Sequence, residues 1–436
     1  MRISVIGCGY LGVVHAAAMA ELGHQVVGID VDAVKIARLD AGLPTFFEPG
    51  LPEILASSIA SGRLRFTTDV SAVSEAEVHF VAVGTPQTAG SDAADMTFVD
   101  AAFSSLIAHV KPGDLIVGKS TVPVGTAARL AEQIAASAPD VTLAWNPEFL
   151  REGFAVQDTI RPDRLVYGVP DGAAGERAAR ILDEVYAATV AAGTPVIVAD
   201  YATAELVKVS ANAFLATKIS FINAMAEIAE ATGADVTKLA DAIGHDNRIG
   251  RRFLNAGVGF GGGCLPKDIR AFSARARELG KGEAIAFLDE MDKINLRRRA
   301  RVVELVSDAL GGDVTGKRVA MLGLAFKPHS DDVRDSPAID VALRLTEEGA
   351  HVVATDPQAI ESARLRAPHL TYVSSAEEAL RDADAVVLVT EWPEFVALDP
   401  VDTAAIVAGR RIVDGRNSLD PAAWRAAGWQ YAGLGR

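Results

Sequence analysis

Basic residues are scarce in this chain: 42 Lys and Arg stand against 57 Asp and Glu, a formal net charge of −15. No long Lys/Arg run interrupts that balance, so nucleic acid and anionic membrane are excluded as expected partners. Any anionic ligand must be held by local positive groups. Cysteine is nearly absent. Cys8 and Cys264 are too few for a disulfide framework, which points to a reducing compartment. No stretch of about 18 uninterrupted apolar residues occurs, so no spanning helix is expected. The opening MRISVIGCGYLG has neither a basic stretch nor a small-residue cleavage site, and a cytoplasmic location is expected. No metal site is expected. What remains is ordinary in composition: 436 residues, 50% hydrophobic and 23% charged, enough for roughly two to four globular domains.

The pattern along the chain is strand, helix, strand, repeated to about residue 199. Short apolar runs at 3–6, 26–29, 78–83, 115–117 and 141–144 are flanked by Gly, Pro or Asp, with Ala-rich helical stretches such as 127–136 between them. Continuous apolar strands alternating with helices predict a parallel sheet covered on both faces. From 202 to about 231 the chain is Ala-rich without Gly or Pro, which predicts one long helix, followed by shorter helices to about 310. Gly311-Gly312 is the expected break. A second alternating unit starts at Gly316, with strands at 319–322, 352–355, 385–389 and 412–413. The expected architecture is α/β: two Rossmann-like, doubly wound parallel-sheet domains (1–199 and 311–436) joined by a long central helix and helical domain (200–310).

Gly7-Cys8-Gly9-Tyr10-Leu11-Gly12 directly follows the first strand and opens a helix. Glycines here permit a tight turn and let backbone approach a pyrophosphate at the helix N-terminus. The second strand ends in Asp30, where a carboxylate accepts from a ribose 2′-OH and repels a 2′-phosphate, predicting NAD rather than NADP. Lys35 could reach the adenosine side; an exposed helical lysine is the competing interpretation. Cys8 is expected to be a small buried hydrophobe.

Five glycines in seven residues precede Cys264 in Gly257-Val-Gly-Phe-Gly-Gly-Gly-Cys264-Leu-Pro266-Lys267-Asp268. Each glycine weakens regular structure, so the stretch suits a backbone wrapped round a ligand rather than one placed for packing. Pro266 favours the first turn of a helix. Cys264 then stands just ahead of a helix N-terminus, where the dipole and Lys267 would stabilise a thiolate nucleophile. Asp268 either caps that helix or handles a proton. Lys208 and Asn212, four apart on the long helix, share one face and could stabilise charge on a reacting oxygen; a solvated stripe is the alternative. Ser120-Thr121-Val-Pro-Val-Gly and Asn146-Pro-Glu148-Phe-Leu-Arg-Glu152-Gly each follow a strand of the first sheet, where ligands bind in such folds. Glu148 and Glu152 suit acid–base work or water positioning. In the second sheet, Lys327 and Arg334 follow the first strand and suit a phosphate-bearing ligand. No Gly-x-Gly-x-x-Gly occurs there, so this sheet need not bind a dinucleotide.

Taken together and in order, these stretches resemble the UDP-glucose/GDP-mannose dehydrogenase family over nearly the whole chain; Gly-Phe-Gly-Gly-Gly-Cys-Leu-Pro-Lys-Asp is the most specific of them. The resemblance implies oxidation of the C6 alcohol of a nucleotide sugar to a carboxylate with two NAD. It implies Cys264 as the nucleophile, passing through a thiohemiacetal and a thioester. Lys208 and Asn212 would stabilise the oxyanion, and Asp268, Thr121 and Glu148 would position water or move protons. NAD would rest on Gly7, Gly9, Tyr10, Leu11, Gly12, Asp30, Lys35, Thr85, Thr121, Glu152, Lys267 and Arg334. The nucleotide sugar would meet Glu148, Phe149, Leu150, Arg151, Glu152, Lys208, Asn212, Phe253, Leu254, Asn255, Ala256, Gly257, Gly261 and Lys327. Arg248 matches an arginine that in relatives reaches across a dimer to the sugar nucleotide, and the family pairs subunits through the long central helix, so a homodimer or larger assembly is implied. Phe253-Leu-Asn-Ala-Gly departs from the Pro-Gly form common in bacterial relatives.

The segment 153–164 and Phe326-Lys-Pro look more like the UDP-glucose branch than the GDP-mannose branch. Two other classes compete. A two-electron NAD-dependent hydroxyacid dehydrogenase shares the sheet and long helix but needs no thiol nucleophile. A non-catalytic nucleotide-sugar sensor has no use for Cys264 and Lys208 together.

Overall fold

A computed structural model describes residues 1–436, and the chain divides into two compact units. The first holds Met1–Ala211 with Ala274–Gly280; the second holds Asn212–Ser273 with Lys281–Arg436.

The first unit is built on eight strands: β1 (Arg2–Ile6), β2 (Gln25–Ile29), β3 (Leu64–Thr67), β4 (Val78–Val81), β5 (Leu115–Gly118), β6 (Thr142–Trp145), β7 (Leu165–Gly168) and β8 (Val196–Ala199). They lie in the order β3-β2-β1-β4-β5-β6-β7-β8. β1 to β6 are parallel, and β7 meets β6 antiparallel through Trp145 and Gly168 while running parallel to β8. The central strands are mostly apolar because helices cover both faces; β4 and β5 are buried along their whole length, and the buried polar pair Ser4 and His79 hydrogen-bond each other at 2.8 Å. The order reverses between β1 and β4. That switch point opens a crevice at the strands' C-terminal ends, and the loops after β1, β4, β5 and β6 all begin there.

The second unit carries β9 (Arg318–Leu322), β10 (His351–Thr355), β11 (Thr371–Tyr372), β12 (Ala385–Leu388), β13 (Arg411–Asp414) and β14 (Gln430–Gly433). All are parallel, in the order β11-β10-β9-β12-β13-β14, with the reversal between β9 and β12. The predicted long helix runs Tyr201–Thr232, within one residue of expectation at each end, and the chain passes from one unit to the other inside it. The helix Leu265–Glu278 likewise begins in the second unit and ends in the first. Strands β3, β7, β8, β11 and β14 were not among the predicted ones; the fold class is as expected.

Candidate active site

In the first unit the glycine turn shows why two of its three glycines are needed. Gly7 has φ +92°, and a Cβ there would sit 2.7 Å from Val83, in the loop after β4. A Cβ on Gly12 would lie 1.8 Å from the Gly7 carbonyl oxygen, so the helix Tyr10–Glu21 could not approach the strand. A Cβ on Gly9, by contrast, would meet nothing within 4 Å. The backbone is therefore bare on the side where a pyrophosphate approaches a helix N-terminus, and these residues fit a dinucleotide. At the end of β2, Asp30 Oδ2 accepts from the Cys8 backbone N–H at 2.8 Å, which aims the carboxylate along the turn. Lys35 places its ammonium 3.0 Å from the same oxygen, so it works beside Asp30 rather than away from it. Cys8 is buried, as expected, and burial together with the Asp30 charge pushes its thiol far above the ordinary range.

The loops that follow β4, β5 and β6 are stitched to one another. The Thr85 hydroxyl donates to the Thr121 carbonyl at 2.9 Å, and the Ser120 hydroxyl to the Val83 carbonyl at 2.7 Å. Glu205, on the long helix, accepts the backbone N–H of Gly125 and Ala127 at 2.7 Å each, and burial raises its carboxyl above the usual range. Lys208 lies one turn further along, nearly buried, with Nζ 3.9 Å from Glu148 Oε2 and 5.5 Å from the centre of the Phe149 ring. Arg164 stacks on that ring at 3.8 Å. Arg151 points elsewhere, its guanidinium bidentate to Asp158 at 2.8 and 2.7 Å. Lys208, Glu148 and Phe149 are thus brought together, and Arg151 is not part of that cluster.

Three residues of this unit escaped sequence reasoning. Buried Lys119 donates to Asn146 Oδ1 at 3.0 Å, and burial pushes its ammonium down to about 8 against the opposing pull of Glu148. Glu205 and Glu48 are acceptors for backbone N–H groups far away in sequence. A carboxylate whose partners are main-chain groups leaves no spacing to find.

In the second unit Cys264 is exposed and caps the helix Leu265–Glu278, its carbonyl accepting from Asp268 N–H at 3.0 Å. Asp268 is 3% exposed; its carboxylate accepts from Asn212 Nδ2 at 2.6 Å and from Lys267 Nζ at 2.5 Å. Asn212, Asp268 and Lys267 are therefore one cluster at the first turn of the helix that follows Cys264. The Lys267 ammonium thus lies on the Asp268 carboxylate.

The glycine-rich stretch needs a correction. All five glycines from 257 to 263 face protein atoms: a Cβ on any of them would lie within 3.0 Å of a neighbour. Gly262, at φ +86°, would put its Cβ 2.8 Å from the Phe326 ring, and Gly263 would put one 2.1 Å from the Arg334 guanidinium carbon. Packing thus explains glycines that composition alone had assigned to a ligand. The loop is held on its other side by Asn295, which accepts from Phe260 N–H at 2.7 Å and donates to its carbonyl at 2.9 Å. Arg416 ties it to the β9 loop, donating to Gly259 and Phe326 carbonyls at 2.9 and 2.8 Å. Arg334 pairs with Asp332 at 2.7 Å, and Asp332 also accepts from Gly263 N–H at 3.2 Å. Lys327 sits with Nζ 5.4 Å from the Phe326 ring centre.

The remaining substrate candidates form a second loop of the same unit. Phe253 has φ +67°, a strained conformation for a bulky residue. Around it Arg251 donates to Leu254 O and Asn255 Oδ1, Asn417 to Ala256 O, and Gly257 N–H to Asn223 Oδ1 at 2.9 Å. Arg248 lies on the surface with its guanidinium on Asp246. At the end of β10, Asp356 occupies the position that Asp30 holds in the first sheet. It is 2% exposed and accepts from Leu324, Ala325, Gln358 and Ala359 N–H and from Trp392 Nε1.

Models of the UDP-glucose/GDP-mannose dehydrogenase family match the chain in three places: the NAD binding domain at 1–190, the central domain at 202–297 and the UDP binding domain at 320–421. A UDP-glucose 6-dehydrogenase of Rhizobium meliloti is 42% identical over 439 aligned residues, covering 100% of both chains. One from Bacillus subtilis is 40% identical and covers 100% of this chain and 93% of its own. The solved structure of a UDP-glucose dehydrogenase from the hyperthermophilic archaeon Pyrobaculum islandicum superposes with a TM-score of 0.90 at 40% identity, covering 100% of this chain and 97% of that one.

Proposed function

Since the chain belongs to the UDP-glucose/GDP-mannose dehydrogenase family, we propose that it catalyses the NAD-dependent, four-electron oxidation of UDP-glucose to UDP-glucuronate. The observation that carries the four-electron chemistry is the exposed Cys264 at a helix N-terminus, with Asp268 buried one turn behind it. A two-electron dehydrogenase has no use for that thiol.

NAD, which Gly7, Gly9, Gly12 and Asp30 would hold, would supply the hydride acceptor for each of the two oxidations. The rest falls to the chain. Lys208 donates to the oxygen at C6 as negative charge develops on it, and Glu148 holds the ammonium in place. Cys264 Sγ adds as thiolate to the C6 aldehyde, and the former carbonyl oxygen takes a proton to give a thiohemiacetal. Loss of a second hydride and the hydroxyl proton from that adduct leaves a thioester. Water adds to the thioester carbon, the C–S bond breaks and the thiolate returns. Asp268, with Thr121 and Glu148, positions that water and carries the protons. In sum, one alcohol, one water and two NAD give one carboxylate, two NADH and three protons. The covalent adduct keeps the aldehyde from escaping between the oxidations.

Glycines 7, 9 and 12 with Asp30 are assigned to the dinucleotide, and the 148–152 loop and Lys327 to the nucleotide sugar, as the family resemblance implies. The working parts are 1–199, 200–310 and 311–436, a division supported by the separate matches to the three family domains. Assembly as a homodimer through the long helix is supported by Phe214, Phe221 and Ile228, successive every seventh residue and 66%, 45% and 58% exposed. No helix is long and apolar enough to cross a membrane.

The test is stoichiometric. With limiting UDP-glucose and excess NAD, two NADH should form per sugar with no free aldehyde, and GDP-mannose should be a much poorer substrate. Cys264→Ser should accumulate an ester of enzyme and sugar nucleotide, visible by intact-protein mass spectrometry, since an ester hydrolyses more slowly than a thioester. One NADH per sugar, or full activity in Cys264→Ala, refutes the proposal.

A further inference from the structure

Glu48 lies outside the motifs assigned to either ligand, yet its carboxylate bonds to a residue of each motif. It stands in Phe46-Phe47-Glu48-Pro49-Gly50, just before the helix Leu51–Ala60, and is 2% exposed. Its Oε2 accepts from the Tyr10 hydroxyl and from Gly153 N–H at 2.6 Å; its Oε1 accepts from Ala155 N–H at 2.7 Å. Tyr10 belongs to the dinucleotide turn. Gly153 follows Glu152 directly, so Gly153 and Ala155 close the loop that carries the sugar-nucleotide candidates. Phe46 packs its ring on that of Tyr10 with centroids 4.5 Å apart, fixing the same segment from its apolar side.

The chemistry of this junction allows one arrangement. An ionised carboxylate accepts and never donates, and three donors converge on it. Burial, then the Glu48 hydrogen bond and charge, push the ionisation of the Tyr10 phenol far upward, so Tyr10 remains a donor at every working pH. A shift of Tyr10 therefore moves an oxygen that also holds the Gly153 backbone. The two loops share one acceptor.

We propose that Glu48 is a positioning residue that couples the two ligands. The dinucleotide, seated on the 7–12 turn, fixes Tyr10. Tyr10 fixes the Glu48 carboxylate, and that carboxylate holds the 152–155 backbone in the form that receives the nucleotide sugar. This rests on the assignment of the two loops made under the proposed function. Coupling of this kind is reciprocal: each ligand must tighten the other by the same factor.

NADH and UDP-glucose form a pair that cannot turn over, so binding can be measured directly by NADH fluorescence and calorimetry. In the wild type, saturating UDP-glucose should tighten NADH by about fivefold or more, and NADH should tighten UDP-glucose equally. In Glu48→Gln, whose amide turns a donor toward donors, and in Tyr10→Phe, which loses only the hydroxyl, that factor should fall below about twofold. If Glu48→Gln does not fold, Tyr10→Phe decides alone. A factor unchanged in the variants, with only the melting temperature lowered, overturns the proposal and makes Glu48 a clamp of the fold. So does a wild type that binds both ligands with no mutual effect. A wild type that binds neither NADH nor UDP-glucose instead refutes the assigned function, and the two failures are distinguishable.

Discussion

Lys119 is a buried cation of the first unit, and its stability cost can be worked from its surroundings. It follows β5, is 6% exposed, and donates from Nζ to Asn146 Oδ1 at 3.0 Å. Burial lowers its ionisation from 10.5 to about 8; Glu148 opposes that shift and Lys208 adds to it. At about 1.4 kcal/mol per unit, keeping the ammonium charged inside the fold costs roughly 3 kcal/mol. The sign follows from proton binding. Below about 8 the folded and unfolded chains both carry the proton, so the cost is present in full. As the pH rises through that value the folded protein sheds a proton that the unfolded chain keeps, and stability climbs with pH, by about 2–3 kcal/mol at pH 10.

Lys119→Met removes the charge at similar length. Asn146 Oδ1 is not orphaned, because the Tyr186 hydroxyl still donates to it at 2.7 Å. The variant should lack the alkaline climb. Near pH 7 it should match or exceed the wild type, since relief of the charge outweighs the roughly 1 kcal/mol of one lost hydrogen bond. Urea unfolding followed by far-UV circular dichroism, at intervals from pH 7 to 10, gives the difference between the two proteins. That difference should swing by about 2–3 kcal/mol, and other titrating groups cancel because both proteins share them. A difference independent of pH refutes the account of Lys119 as a penalised buried charge.

Lys208→Met should lower kcat by about two to three orders of magnitude, the cost of one oxyanion donor, while calorimetric UDP-glucose binding changes far less; near-normal turnover would return Lys208 to a structural role. The wild type should prefer NAD to NADP by about tenfold or more in kcat/KM, since a 2′-phosphate would meet the Asp30 carboxylate. Asp30→Asn should narrow that preference, because Lys35, now 3.0 Å from the carboxylate, would face the phosphate alone; an unchanged ratio counts against the placement. Gly261→Ala and Gly263→Ala separate rigid from yielding neighbours. At Gly261 the new Cβ meets the Asp335 carbonyl oxygen at 2.3 Å, whereas at Gly263 it meets only the end of the Arg334 side chain. Gly261→Ala should therefore lower Tm clearly more, by the equivalent of about 1–3 kcal/mol, and equal melting temperatures would show that both walls yield.

The parts of the fold that were legible in the sequence are those where one physical pressure acts on consecutive residues. Strands β1, β2, β4, β5 and β6 and their counterparts in the second sheet are apolar runs because helices bury both faces. The long helix announces itself by the absence of Gly and Pro over its length. Where the pressure weakens, so does the signal. β8 lies at the edge with Ile197 and Val198 42% and 55% exposed, and β11 has two residues. The cofactor turn and the cysteine helix were found because their residues are contiguous. Glu48 was not, since its backbone partners lie 105 and 107 residues away and any residue type there would supply the same N–H.

Asp30 and Asp356 show where sequence position stops predicting function. Both end the second strand of a parallel sheet, beside a switch point, and both accept from the backbone that follows the first strand: Cys8 in one case, Leu324 and Ala325 in the other. The glycines Gly7 and Gly323 even repeat the same contact, each at positive φ against the loop after the neighbouring strand across the reversal. The difference lies in what covers the carboxylate. Asp356 is closed over by Trp392: its Oδ2 accepts the indole N–H at 3.0 Å beside those of Leu324 and Ala325, and its Oδ1 accepts from Gln358 and Ala359. Asp30 has no such lid and keeps acceptor capacity at the mouth of a glycine turn that a pyrophosphate can approach. Repetition of a sheet therefore carries over its geometry but not the donors around the carboxylate: five converge on Asp356 and three on Asp30.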